Sequence, residues 1–137
     1  MAAKLNPYLQ FDGNAREAME FYRDVFGGEL SVNTFGEYGS DDPPTKDKTM
    51  HAQLESDQGL TLMASDTAPG MAPPPQDTKI TISLSGDDDG ELRGYWEKLS
   101  NGGNVMMPLE KQMWGDEFGM LVDRFGTPWM VNIAHPH

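Results

Sequence analysis

The sequence predicts an α+β protein in which one βαβββ unit is used twice, and three observations carry that reading. A faint self-similarity runs at an offset of 75 residues, so that Phe11-Asp12-Gly13 through Phe26-Gly27-Gly28 is answered by Gly86-Asp87-Asp88 through Asn101-Gly102-Gly103. In both passages a strand-like run meets an acidic turn, an amphipathic stretch follows, and a Gly-Gly pair ends it. Asp12 matches Asp87, Phe21 matches Trp96, and Gly27-Gly28 match Gly102-Gly103. Finally, each Gly-Gly pair is followed by three short strand-like runs. The expected organisation is a first module over residues 1–66, a linker over 67–78 and a second module over 79–137, all within one domain.

The first module opens with a strand from Leu5 to Phe11, with Asn6, Tyr8 and Gln10 on one side and Leu5, Pro7, Leu9 and Phe11 on the other. Pro7 marks it as an edge strand or an irregular start, because proline cannot donate to a ladder. Asn14 stands at a helix N-cap with Glu17 three residues on, the pattern of a capping box. Ala15, Ala18, Met19, Tyr22, Val25 and Phe26 then recur at helical spacing, and Gly27-Gly28 stops the helix. Strands follow over Glu29–Phe35, Lys48–Ser56 and Leu60–Ser65, the last two joined as a hairpin by Asp57-Gln58-Gly59.

The second module opens at Lys79–Leu84, the cleanest period-two alternation in the chain. Asp88 and Glu91 form a second capping box, and Leu92, Tyr95, Trp96 and Leu99 make the apolar stripe of its helix. Strands are expected at Asn104–Met107, Phe118–Asp123 and Pro128–Ala134. Two loops, Gly36–Asp47 and Asp66–Thr78, are rich in Pro, Gly and Asp and are long enough to serve either as a rim or lid or as plain connections.

Composition narrows the chemistry. With 37% hydrophobic residues in 137, the chain has enough for one core and little surplus. Ten basic and 22 acidic residues leave a formal charge of −12, which repels phosphate backbones and anionic membrane surfaces and attracts cations. Nucleic acid and membrane are therefore not expected partners. The absence of cysteine removes disulfides, thiolate catalysis, zinc–thiolate sites and iron–sulfur clusters, and it fits a cytoplasmic location. No stretch approaches the roughly 20 apolar residues of a membrane span.

Several short passages, taken in order, carry a family resemblance. They are Leu5-Asn6-Pro7-Tyr8-Leu9, Gly13-Asn14-Ala15, Glu20-Phe21-Tyr22 through Phe26-Gly27-Gly28, Leu62-Met63-Ala64-Ser65-Asp66, Pro108-Leu109-Glu110 with Trp114-Gly115, and Asp123-Arg124-Phe125-Gly126-Thr127-Pro128-Trp129. The chain resembles the vicinal-oxygen-chelate superfamily of glyoxalase, bleomycin-resistance and extradiol-dioxygenase proteins, most closely its PhnB-like branch. The resemblance implies that the sheets curl into a cup with helices on the convex side, and that two chains pair as a homodimer.

In metal-using members of that superfamily, His and Glu side chains on the first and last strands of each half hold one divalent ion. The positions carried across fall on Asn6, Gln53, Thr81 and Met130. Amide, amide, hydroxyl and thioether groups make a weak site for zinc, nickel, manganese or iron, so no cofactor is expected. Strand alternation sends Ile80, Ile82, Leu84, Ala52, Leu54, Trp129, Val131 and Ile133 to the core. It leaves Tyr8, Gln10, His51, Gln53, Thr61, Met63, Ser83, Met130 and Asn132 lining the cup. Trp114 either closes the mouth by stacking or packs beneath a loop.

His51 is the single histidine away from the C-terminus and thus the one candidate acid or base near neutral pH; its alternative is a strand histidine bonded to a neighbour. Glu55, four residues on, is roughly 13 Å away along an extended strand, too far to share an ion with it. Ser85-Gly86-Asp87-Asp88-Asp89-Gly90 hints at a calcium loop but lacks the closing Glu, since Trp96 stands there, and reads instead as an acidic helix start. His135-Pro136-His137 reads as an exposed tail. No GxGxxG, GxxxxGK or GxSxG occurs.

Two functions follow from these expectations. The first is binding of a small cationic or aromatic molecule in a cup-shaped pocket without the usual metal. The alternative is a metal-dependent lyase, isomerase or dioxygenase with rearranged ligands, such as His51 with Glu55 or Glu110.

Overall fold

In the computed structural model, residues 5–39, 43–67 and 80–135 are described. The chain divides into two compact units, Met1–Pro75 and Gln76–His137, each holding a four-stranded mixed sheet and a 12-residue helix. The architecture is α+β, with one βαβββ unit in each.

In the first unit, β1 (Tyr8–Phe11), α1 (Ala15–Phe26), β2 (Glu29–Thr34), β3 (Thr49–Glu55) and β4 (Thr61–Asp66) build a sheet of order β1-β4-β3-β2. β1 runs parallel to β4, and the other pairs are antiparallel. The strand begins after Pro7, at a sheet edge where a missing N–H costs no ladder bond. All six apolar stripe residues of α1 are buried, against a sheet face that includes Phe11, Ala52, Leu54, Leu62 and Ala64. The Gly36–Asp47 segment is not all loop. A single 3₁₀ turn occupies Gly36–Tyr38 and a short helix, α2, spans Pro43–Lys46.

The expected Asn14–Glu17 capping box does not form: Asn14 makes no side-chain cap bond. Its task falls to Asp66, the last residue of β4 rather than the first of a loop. The Asp66 carboxylate, 4% exposed, accepts from the Gly13 and Ala15 N–H groups at 2.9 Å each and from the Thr49 N–H at 2.8 Å. One buried carboxylate thus satisfies orphan donors at the start of α1, where the helix dipole favours negative charge, and ties β3 to them.

The second unit repeats the plan with β5 (Ile82–Gly86), α3 (Asp89–Ser100), β6 (Asn104–Lys111), β7 (Glu117–Val122) and β8 (Pro128–Ile133) in the order β5-β8-β7-β6. Leu92, Tyr95, Trp96 and Leu99 are buried, with Leu84, Leu121, Trp129, Val131 and Ile133. Here the cap is local, since the Asp88 carboxylate accepts from the Glu91 N–H at 3.1 Å. Glu91 itself accepts from the Tyr95 hydroxyl at 2.7 Å.

Two boundaries of this unit differ most from expectation. β5 starts at Ile82, where pairing with Trp129 begins, so Ile80 lies outside the strand and is 74% exposed rather than in the core. β6 continues through Pro108 to Lys111, with register shifts between Val105 and Met107 and again between Met107 and Glu110. An edge strand tolerates both proline and bulges.

The hairpin turns of the two units match bond for bond. Ser56 N donates to Leu60 O and Gly59 N to Ser56 O, as Asp123 N donates to Thr127 O and Gly126 N to Asp123 O. Ser56 Oγ accepts from the Gln58 and Leu60 N–H groups, and Asp123 Oδ1 from those of Phe125 and Thr127. A Gly closes in on each turn from the helix end. A Cβ at Gly28 would lie 2.1 Å from the Glu55 carbonyl oxygen, and one at Gly103 would lie 2.5 Å from that of Val122.

Candidate functional site

Each sheet has one face covered by its helix and one that is not, and the predicted site residues distribute over the uncovered faces. In the first unit the ladder places Tyr8 beside Met63, Met63 beside Gln53 and Gln53 beside Ser31, so these four share one row. Gln10 pairs with Ser65 and His51 with Asn33. Tyr8, Gln10, His51, Gln53 and Met63 therefore lie on a single face, with Thr61 beside Glu55 at its end.

Two contacts order that face. The Tyr8 hydroxyl lies 3.5 Å from His51 Nδ1, with the rings tilted at a centroid separation of 5.9 Å. That distance is at the outer limit of a hydrogen bond, and it leaves Nε2 of His51 for another partner. Gln53 Nε2 donates to Glu55 Oε1 at 3.2 Å, which fixes the amide and turns its carbonyl oxygen away from Glu55. Glu55, named in the rearranged metal set, is thus engaged by Gln53, and cross-strand from it stands a second acid, Glu29.

In the second unit Met130 sits between Ser83 and Met120, and Asn132 between Ser85 and Phe118, on the uncovered face. Asn132 Nδ2 donates to Asp116 Oδ2 at 3.1 Å. Trp114, on the turn between β6 and β7, stands edge-on to Phe118 at 6.1 Å and is 51% exposed. It is not core. Thr81 lies just before β5, outside the ladder, and Asn6 likewise precedes β1. Glu110 pairs with Phe118 on an exposed edge strand.

Sequence reasoning missed three acids. Among the described residues, Asp66 and Asp123 are the buried carboxylates of their units, and Asp123 Oδ2 also accepts from the Trp129 indole N–H at 2.8 Å. That accounts for the run from Asp123 to Trp129, which is a turn and its anchor. Asp116 holds both Asn132 and, at 3.3 Å, the His135 N–H. His135 is accordingly no frayed end. Its Nε2 is 3.3 Å from Glu117, whose other oxygen takes the Arg93 guanidinium. That carboxylate holds the Arg93 pKa above its ordinary value. Residues 136–137 and the 68–79 part of the second long loop lie outside the described residues.

The inherited metal positions do not fit a divalent ion. Gln53 offers a neutral amide oxygen in place of an imidazole or carboxylate, Met130 a thioether, and Asn6 and Thr81 stand outside the strands that would aim them. Among the described residues, no group of three or more His, Asp or Glu is placed to hold a metal.

Two βαβββ units, each with one helix-covered and one uncovered sheet face, define the class of fold. The chain belongs to the Glyoxalase/Bleomycin resistance protein/Dioxygenase superfamily, whose family model matches residues 4–131. It is 39% identical to protein PA1353 from Pseudomonas aeruginosa, with a TM-score of 0.86, covering 98% of this chain and 100% of that one. Protein YjdN of Escherichia coli is 30% identical over 95% of both chains. A putative 3-demethylubiquinone-9 3-methyltransferase, the PhnB protein from Bacillus cereus, shares the fold at 24% identity and a TM-score of 0.71, over 96% of this chain and 100% of that one. Among the described residues, no helix is long and apolar enough to cross a membrane.

Proposed function

We propose that this chain binds a small organic molecule on the uncovered sheet faces, without the divalent ion used elsewhere in its superfamily. The observation that carries the reading is the composition of the first unit's face. Tyr8, Gln10, His51, Gln53 and Met63 form a wall of hydrogen-bonding groups set among apolar ones, as in small-molecule sites. The second unit, taken by itself, has a mixed set of the same kind in Trp114, Met130 and Asn132, with Thr81 just before β5.

The face of the first unit includes no Lys or Arg in its strands, while Glu29 and Glu55 stand at its end. Together with the charge of −12, this favours a neutral or cationic ligand over an anionic one. The protein acts as a cytoplasmic homodimer with no nucleic-acid or membrane partner.

The test is a compound screen by amide chemical-shift perturbation. Hits are expected to shift Tyr8, His51, Gln53 and Met63, and Gln53→Ala is expected to weaken them. Hits that leave those four residues unshifted would overturn the reading. Light scattering checks the dimer, which a monomeric mass would contradict.

A further inference from the structure

Sulfur in this protein is all methionine, ten residues of it, with no cysteine. Three of them stand in one row. Met130 of β8 pairs directly with Met120 of β7, and Met120 pairs directly with Met107 of β6. Directly paired residues point to the same face of a sheet with their Cα atoms roughly 5 Å apart, so three methionine side chains leave one face from three adjacent strands. The face is the one away from α3. The alternate residues of β7 and β8, Leu121, Trp129 and Val131, are buried, whereas Met120 and Met130 are half-buried and Met107 is 41% exposed.

The bulge in β6 completes this row. Val105 pairs with Leu121, and the next pair is Met107 with Met120, so Met106 is the extra residue and Met107 takes the place opposite Met120. Met106 has a different engagement, since its sulfur accepts from Asn104 Nδ2 at 3.3 Å. Each methionine in the row has three rotatable bonds and a polarisable sulfur, so the outer two can lean over the central one.

We propose that the second unit carries a binding site for a soft monovalent cation of the copper(I) class, built from the thioethers of Met107, Met120 and Met130. Neutral sulfur donors are poor ligands for zinc, manganese or magnesium but match copper(I) and silver(I) in softness. The same chemistry that disqualifies Met130 as a ligand for a divalent ion suits it to this one. The protein's net charge of −12 adds a favourable field. The inference shares Met130 with the organic-ligand reading but turns on Met107 and Met120, which that reading does not use, so substitution of those two tests it separately.

Silver(I) is the probe, being redox-inert, added to the full chain carrying ¹³C-labelled methionine methyl groups. One equivalent is expected to bind and shift the methyl signals of Met107, Met120 and Met130, leaving Met106, Met113 and the imidazoles of His51 and His135 in place. Met120→Leu keeps the volume and is expected to lose this uptake with an unchanged unfolding midpoint; Met107→Leu, on the exposed edge, gives the same readout should the first variant not fold. Failure to bind one equivalent, shifts led by Met113 or by an imidazole, or uptake that survives both leucine variants would overturn the proposal.

Discussion

The two units of this protein hold the same backbone with different side chains. At the hairpin turn Ser56 and Asp123 occupy equivalent places and accept the same two backbone N–H groups. Asp123 has a second oxygen, which takes the Trp129 indole; the matching position in the first unit is Leu62, which has no donor. A hydroxyl suffices where one partner set exists, and a carboxylate is used where two do. At the helix start the assignment reverses. Asp66 caps α1 from the end of β4, whereas its counterpart at the end of β8 is Ile133, and α3 is capped by its neighbour Asp88. Duplication has kept the turns, the close approaches of Gly28 and Gly103 and the ladder order, while the groups that satisfy orphan donors have moved.

Substitutions that exchange these solutions break or sharpen the comparison. Asp66→Ala removes one carboxylate from three donors, two of them buried, and at about 1–3 kcal/mol for each buried group left unpaired it is expected to cost about 3–5 kcal/mol in urea unfolding. A loss below 1 kcal/mol would show that water replaces it without penalty. Asp123→Ser rebuilds the Ser56 arrangement and leaves the turn intact but strands the Trp129 N–H, for an expected cost of about 1–3 kcal/mol. The double variant with Trp129→Phe checks the cause, since much of that cost should vanish in the cycle. Asp88→Ala removes a local, solvent-exposed cap and should cost about 1 kcal/mol. Asn14→Ala, at a position that the sequence nominates as the cap of α1, is expected to change stability by less than about 0.5 kcal/mol, as befits a surface site without a cap bond. A larger loss there than at Asp88 would reverse the assignment of caps.

Much of the fold was legible because it depends on local periodicity. The stripes of α1 and α3 are buried at every expected position, and Trp129, Val131 and Ile133 alternate into the core as written. What was not legible depends on partners distant in sequence. Asn14 has the right type and spacing for a cap, but the donor bond at Ala15 is taken by a residue 51 positions away. Ile80 continues a period-two pattern, yet the ladder with β8 begins only at Ile82. Pro108 signals an end to β6 that the edge position and bulges make unnecessary. The offset of 75 holds for β1 and β5, but the helices correspond at 74, so Trp96 matches the buried Tyr22 rather than Phe21. For the candidate site, alternation placed Tyr8, Gln10, His51, Gln53 and Met63 on one face, whereas no sequence pattern gave the Tyr8–His51 approach or the engagement of Gln53 by Glu55.

The metal-free part of the functional account rests on the donor atoms at Asn6, Gln53, Thr81 and Met130, and elemental analysis of untagged protein with metal-titrated thermal unfolding tests it most directly. The account predicts no stoichiometric zinc, nickel, manganese or iron and no rise in the unfolding midpoint when these ions are added. One equivalent of any of them, with clear stabilisation that is lost on changing Gln53 or Met130, would contradict it.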